Sequence, residues 1–109
     1  MKAVLIISAL ETKLIKAFDL AVLPPPGSPI IIAGQVDDSG DDDLPGTVGR
    51  HDWVLLGSNL IPVIIITTNK ALSEVRQEIL ASKGWNLCYT NSVVLQACQV
   101  VTKESHEHV

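Results

Sequence analysis

Three short runs of aliphatic residues constrain this chain more than any other feature. They read "KAVLII" at 2–7, "PIIIA" at 29–33 and "PVIIITT" at 62–68. Each run reads as a strand, and the first is too short for a helix and too continuously apolar for an edge. Val and Ile pack well on a pleated, buried surface. A chain carrying three such runs must build a sheet buried on at least one face. Its 109 residues make one domain, and a hydrophobic content of 47% supplies a core that needs no disulfide or metal staple. Disorder is excluded for the chain as a whole.

Charge narrows the function classes. The formal net charge is -4, with eight Lys and Arg and no basic stripe. Binding nucleic acid through its phosphates needs clustered cations, so no nucleic-acid partner is expected. Cys88 and Cys98 lie in apolar sequence and read as buried free thiols rather than a disulfide framework. The first apolar run sits at the lower limit of a signal-peptide core, roughly 7–15 residues, and reads better as a strand. No run reaches the roughly 18 apolar residues of a membrane span. The expectation is a soluble, cytoplasmic protein that is not membrane-inserted.

Two helices are predicted between the runs. Ser8-Ala9-Leu10-Glu11 matches the S-x-x-E capping box, and Leu10, Leu14, Ile15 and Phe18 form a helical stripe. A first helix should therefore run from Ala9 to the stop at Pro24-Pro25-Pro26. Thr68 or Asn69 can cap a second, with Leu72, Val75, Ile79 and Leu80 buried, Glu74 and Glu78 off that stripe, and Gly84 ending it. "WNLCYT" and the alternating "SVVLQACQVV" read as strand, and 104–109 as a polar tail on a domain of 1–103.

The fold class expected is α+β. Two β-α-β halves joined by a long loop make a ferredoxin-like sandwich with an antiparallel sheet, the loop lying between strands 2 and 3. Helices of the same chain would cover one sheet face. The other face exceeds what a soluble monomer exposes, so it should be buried in a homo-oligomer.

The segment 36–58 is the expected loop. Connections longer than about 12–15 residues usually carry function or are disordered. Asp41, Asp42 and Asp43, with Asp37 and Asp38, offer oxygens to a hard divalent cation, though not at EF-hand spacing. The plainer reading is a solvated loop held open by self-repulsion. His106 and His108 flank Glu107 in a His-x-His pattern that suits zinc or copper. Arg50-His51-Asp52 is the one cluster of acid-base type, and it reads more simply as a surface ion pair. Trp53 and Trp85 are core anchors or stacking walls. Phosphate-loop, G-x-S-x-G, C-x-x-C and H-E-x-x-H patterns are missing, and the chain is not expected to be an enzyme.

The strand "KAVLII", the stretch "ETKLIKAFDL", the strand "PIIIAGQV", the long acidic loop, "PVIIITTN", "KALSEVRQEILASKG" and "NSVVLQACQVV" together resemble the PII-like signalling superfamily. That group includes trimeric, ferredoxin-like, cation-tolerance (CutA-type) proteins. The resemblance implies a homotrimer whose small-molecule effector binds in clefts between subunits and orders the loop. An effector at the loop base would meet Gly34, Gln35, Asp37, Gly49, Arg50 and His51. The implied role is regulatory, with a transporter or enzyme as the docked target. The alternative is a divalent-metal protein using Asp41, Asp42, Asp43, His106 and His108. The sequence specifies no cofactor.

Overall fold

The computed structural model describes residues 1–32, 44–88 and 96–102. Its strands are β1 (Lys2–Ser8), β2 (Lys13–Asp19), β3 (Pro29–Ile32), β4 (Leu44–Leu56), β5 (Asn59–Thr67) and β6 (Asn86–Leu87). Helix α1 (Glu74–Ser82) lies between β5 and β6, and a second helix, α2, covers 96–102. The architecture is α+β. All six strands join one sheet in the order β3-β4-β5-β1-β2-β6, curled into a half-barrel. Every pairing is antiparallel except β1 with β5, which is parallel.

The three aliphatic runs form β1, β3 and β5, as their composition predicts. The first predicted helix is a correction. Residues 13–19 form β2, which returns along β1 with Ser8 opposite Lys13 and Lys2 opposite Asp19. The supposed capping box lies in the intervening hairpin turn, closed by the Ala9 N–H on the Thr12 carbonyl at 2.9 Å. Leu14 and Ile15 are both buried, on opposite sides of the sheet. Adjacent apolar residues satisfy a helical stripe and a doubly buried strand equally well, and tertiary pairing decides.

Two further expectations are corrected. Of the supposed loop 36–58, residues 44–56 are strand β4. The alternating C-terminal run is helical over 96–102, with Ala97 and Val101 buried four residues apart on one face. The described strands and helices therefore do not follow the β-α-β, β-α-β order. Nor is the sheet bare on one side. On one face Ala97 and Val101 of α2 pack with Val4, Ile6, Ile15, Val54, Ile61 and Val63. On the other Leu72, Leu80 of α1 and Trp85 pack with Ile7, Leu14 and Leu44.

Helix α1 starts later than expected. Its N-cap is Ser73, whose hydroxyl accepts the Arg76 N–H at 3.1 Å. Val75, expected in the core, is exposed. The C-terminus follows the sequence reading. Gly84 takes φ 98°, its N–H reaches the Ala81 carbonyl and that of Trp85 reaches the Leu80 carbonyl. This double closure is the Schellman arrangement, and it sets Trp85 against Leu80 in the core.

Strand β4 holds the device that orients the rest. Val48 pairs with Ile66 and His51 with Ile64, so one extra residue bulges out between them. Leu44, Gly46 and Val48 share the α1 face before the bulge; His51, Trp53 and Leu55 share it afterwards. Gly46 permits close approach of β5, because a Cβ there would stand 2.6 Å from Ile66 Cγ2. What reads as a glycine-rich loop is thus a strand in tight contact.

Candidate functional site

Of the six residues implied at the effector site, three are described. Gly49 and Arg50 form the β4 bulge, and His51 follows it. His51 donates its Nε2 hydrogen to the Pro24 carbonyl at 2.7 Å, tying the proline-rich turn after β2 to β4. Arg50 Nε meets Asp52 Oδ1 at 3.2 Å on an exposed surface. Such a pair contributes little. It also turns Arg50 and Asp52 toward each other, with His51 engaged elsewhere, so the three form no acid-base relay. Gly34, Gln35, Asp37, Asp41, Asp42, Asp43, His106 and His108 lie outside the described residues. Among the described residues no three His, Cys, Asp or Glu side chains gather as a metal-ligand set. Cys88 and Cys98 are both free and half-buried.

Two surfaces stand out in the fold, and each holds one of the tryptophans read as a core anchor or stacking wall, Trp53 exposed and Trp85 buried. The first is the far end of the β4–β5 hairpin. The strands turn through Gly57 and Ser58, with Gly57 at φ 63°, as a two-residue hairpin turn led by glycine requires. On the α1 face of this end, Leu55 pairs with Leu60 and Trp53 with Pro62. Trp53 is 50% exposed, Leu55 70% and Leu60 58%. Pro62 is fully buried, and it precedes the first β1 partner of β5, Val63, where its missing N–H disturbs no β1 pairing. Beside this patch β4 outruns its neighbour. β3 pairs only with Leu44 to Thr47, and the bonds of Gly27 and Ser28 to Val48 end the ladder. Beyond Val48, residues 50–56 make no backbone–backbone hydrogen bond on that side among the described residues, although the His51 side chain is held by the Pro24 carbonyl.

The second surface is a cleft of about 290 Å³ between α1 and the β2–β6 edge. Its apolar wall is Leu14, Ala81, Trp85 and Leu87. Its polar rim is Glu74, Gln77 and Glu78 from α1. The spacing 74, 77, 78, 81 is one helix face, which is the sequence signal that could have revealed it. Trp85 is held from behind by Phe18, with ring centroids 5.5 Å apart, and the Lys16 ammonium sits 5.0 Å from the Phe18 ring centre. The Gln77 amide donates to the Leu72 carbonyl at 2.9 Å, which fixes the middle of the rim.

Comparison with protein-family models, with curated proteins and with solved structures finds no match to this chain in any of the three.

Proposed function

We propose that this chain is a non-catalytic regulatory protein that works as a self-assembled unit, joined along the outer edge of β4. The observation that supports the self-assembly is the coincidence of a strand edge at 50–56 without backbone pairing and the exposed Trp53, Leu55 and Leu60 beside it. An open edge flanked by large apolar side chains is a template for another strand. The occupant is a second copy.

The register supports that choice. A two-fold antiparallel pair sets a residue opposite itself. A pair centred nearer the bulge would run into β3, and one centred nearer Gly57 would leave backbone unpaired. The midpoint of 50–56 is Trp53. At that register the two Trp53 rings meet, and Leu55 faces His51 of the second copy. Half a tryptophan, most of two leucines and a seven-residue strand from each copy remove on the order of 1,000 Å² from water, the threshold of a specific interface.

This reading keeps one part of the PII-like expectation, an effector site at a subunit boundary. Gly49, Arg50 and His51 stand at the inner end of the open edge, so a copy laid along it brings them to that boundary. It replaces the ferredoxin-like trimer with a pair. The acidic run 37–43 lies outside the described residues, and its expected docking to a transporter or enzyme target stays part of the proposal.

The test is sedimentation across a range of concentrations. The native chain should pass from one-chain to two-chain particles by micromolar concentration. Leu55→Lys should remain a single chain while its melting curve stays close to the native one. A native protein that sediments as one chain at every concentration overturns the proposal.

A further inference from the structure

We infer that the cleft beside α1 is a binding site for an organic cation with an apolar body. The cleft does not depend on the β4 edge, and its occupant follows from charge and shape. At about 290 Å³ it falls at the small end of ligand pockets. Its wall of Leu14, Ala81, Trp85 and Leu87 favours an aliphatic or aromatic body. Its rim places two carboxylates, Glu74 and Glu78, one helical turn apart. Two like charges at that spacing repel, and a cation between them removes the repulsion while gaining from both.

The cleft's own surroundings leave this charge unanswered. No ion pair among the described residues holds Glu74 or Glu78. Lys16 is committed elsewhere, donating to the Lys83 carbonyl with its ammonium above Phe18. An anionic ligand would meet two carboxylates and is excluded on charge. A neutral apolar ligand would fill the wall and leave the rim unused. A cation with an apolar body uses both, and the Trp85 indole adds the attraction of an aromatic ring for a positive charge. An alkylated or aromatic ammonium and the arginine side chain of a peptide share this chemistry.

The probe is benzyltrimethylammonium, followed by the Trp85 fluorescence of the Trp53→Phe variant and by amide chemical shifts of residues 74–87. Saturable binding is expected, with shifts confined to α1, Trp85 and Leu87. Benzoate and benzyl alcohol should bind at least roughly tenfold more weakly. Glu74→Gln with Glu78→Gln should weaken the cation roughly tenfold and leave benzyl alcohol unchanged, because both side chains are exposed and the fold does not depend on them. An arginine-containing dipeptide that competes with the probe assigns a peptide ligand; one that does not assigns a free ammonium compound. Equal binding of benzyl alcohol and the cation, indifference of the cation to the double substitution, or no saturable binding by any probe overturns the inference.

Discussion

The two ends of the β4–β5 hairpin are made of similar residues and live in different surroundings. At the inner end Leu44, Val48, Ile64 and Ile66 are almost wholly buried, Leu44 in one cluster with Leu80 of α1. At the outer end Trp53, Leu55 and Leu60 occupy the same face and are half or more exposed. Hydrophobicity therefore does not determine burial along this ribbon; the reach of the covering elements does. α1 spans nine residues, and β3 four, against thirteen in β4. An apolar surface left over by short covers is one on which a partner gains most.

Substitutions along β5 test this difference most sharply. Ile66→Ala, at the covered end, should lower unfolding free energy by about 2–4 kcal/mol in urea denaturation, combining lost burial with a cavity. Leu60→Ala, at the bare end, should change monomer stability by no more than about 0.5 kcal/mol. If the two cost the same, the outer end is covered in solution. Next in size is Gly46→Ala. Its new methyl would press on Ile66 Cγ2 and on the Thr67 carbonyl at 3.2 Å, which should cost about 1–3 kcal/mol in the same measurement.

Those residues also show where sequence reasoning reaches and where it stops. β1, β3, β5 and the Gly84 end of α1 were legible, because an aliphatic run and a left-handed glycine each have one natural reading. β2 was not, since Leu14, Ile15 and Phe18 fit a stripe on a helix and two faces of a strand. The α2 segment failed in reverse: "QACQVV" alternates, yet its Ala97 and Val101 meet the sheet at helical spacing. β4 was hidden by its glycines. Gly46 and Gly49 look like loop residues, but they serve close strand contact and a bulge that shifts the alternation by one position. Of the candidate sites, Arg50 and His51 were expected at a loop base but lie within β4 at its bulge, whereas the cleft wall joins Leu14 to Leu87, a juxtaposition created only by the β2–β6 pairing.

Smaller effects refine the same contrast. Ser73→Ala removes the hydroxyl that caps α1, the element covering the inner end, and should cost about 1 kcal/mol by thermal unfolding. The least is expected at Asp19. Its carboxyl is held below the ordinary 3.8, first by the hydrogen bond from the Met1 ammonium at 2.9 Å and then by the charge of that ammonium. A depressed folded-state value means that the contribution is complete above the ordinary carboxylate range. It is lost as pH falls below that range and through the lowered folded value. Asp19→Asn should remove that acid sensitivity and leave stability at pH 7 almost unchanged, because the pair is exposed. A pH titration followed by carboxyl chemical shifts checks the direction.

The parallel seam between β1 and β5 has a kinetic consequence. Val4 lies beside Val63 and Ser8 beside Thr67, so the opening strand must wait for more than half the chain before its central neighbour exists. During synthesis β2 reaches it first, and the wide sequence separation of the seam should make it form more slowly than the β1–β2 hairpin.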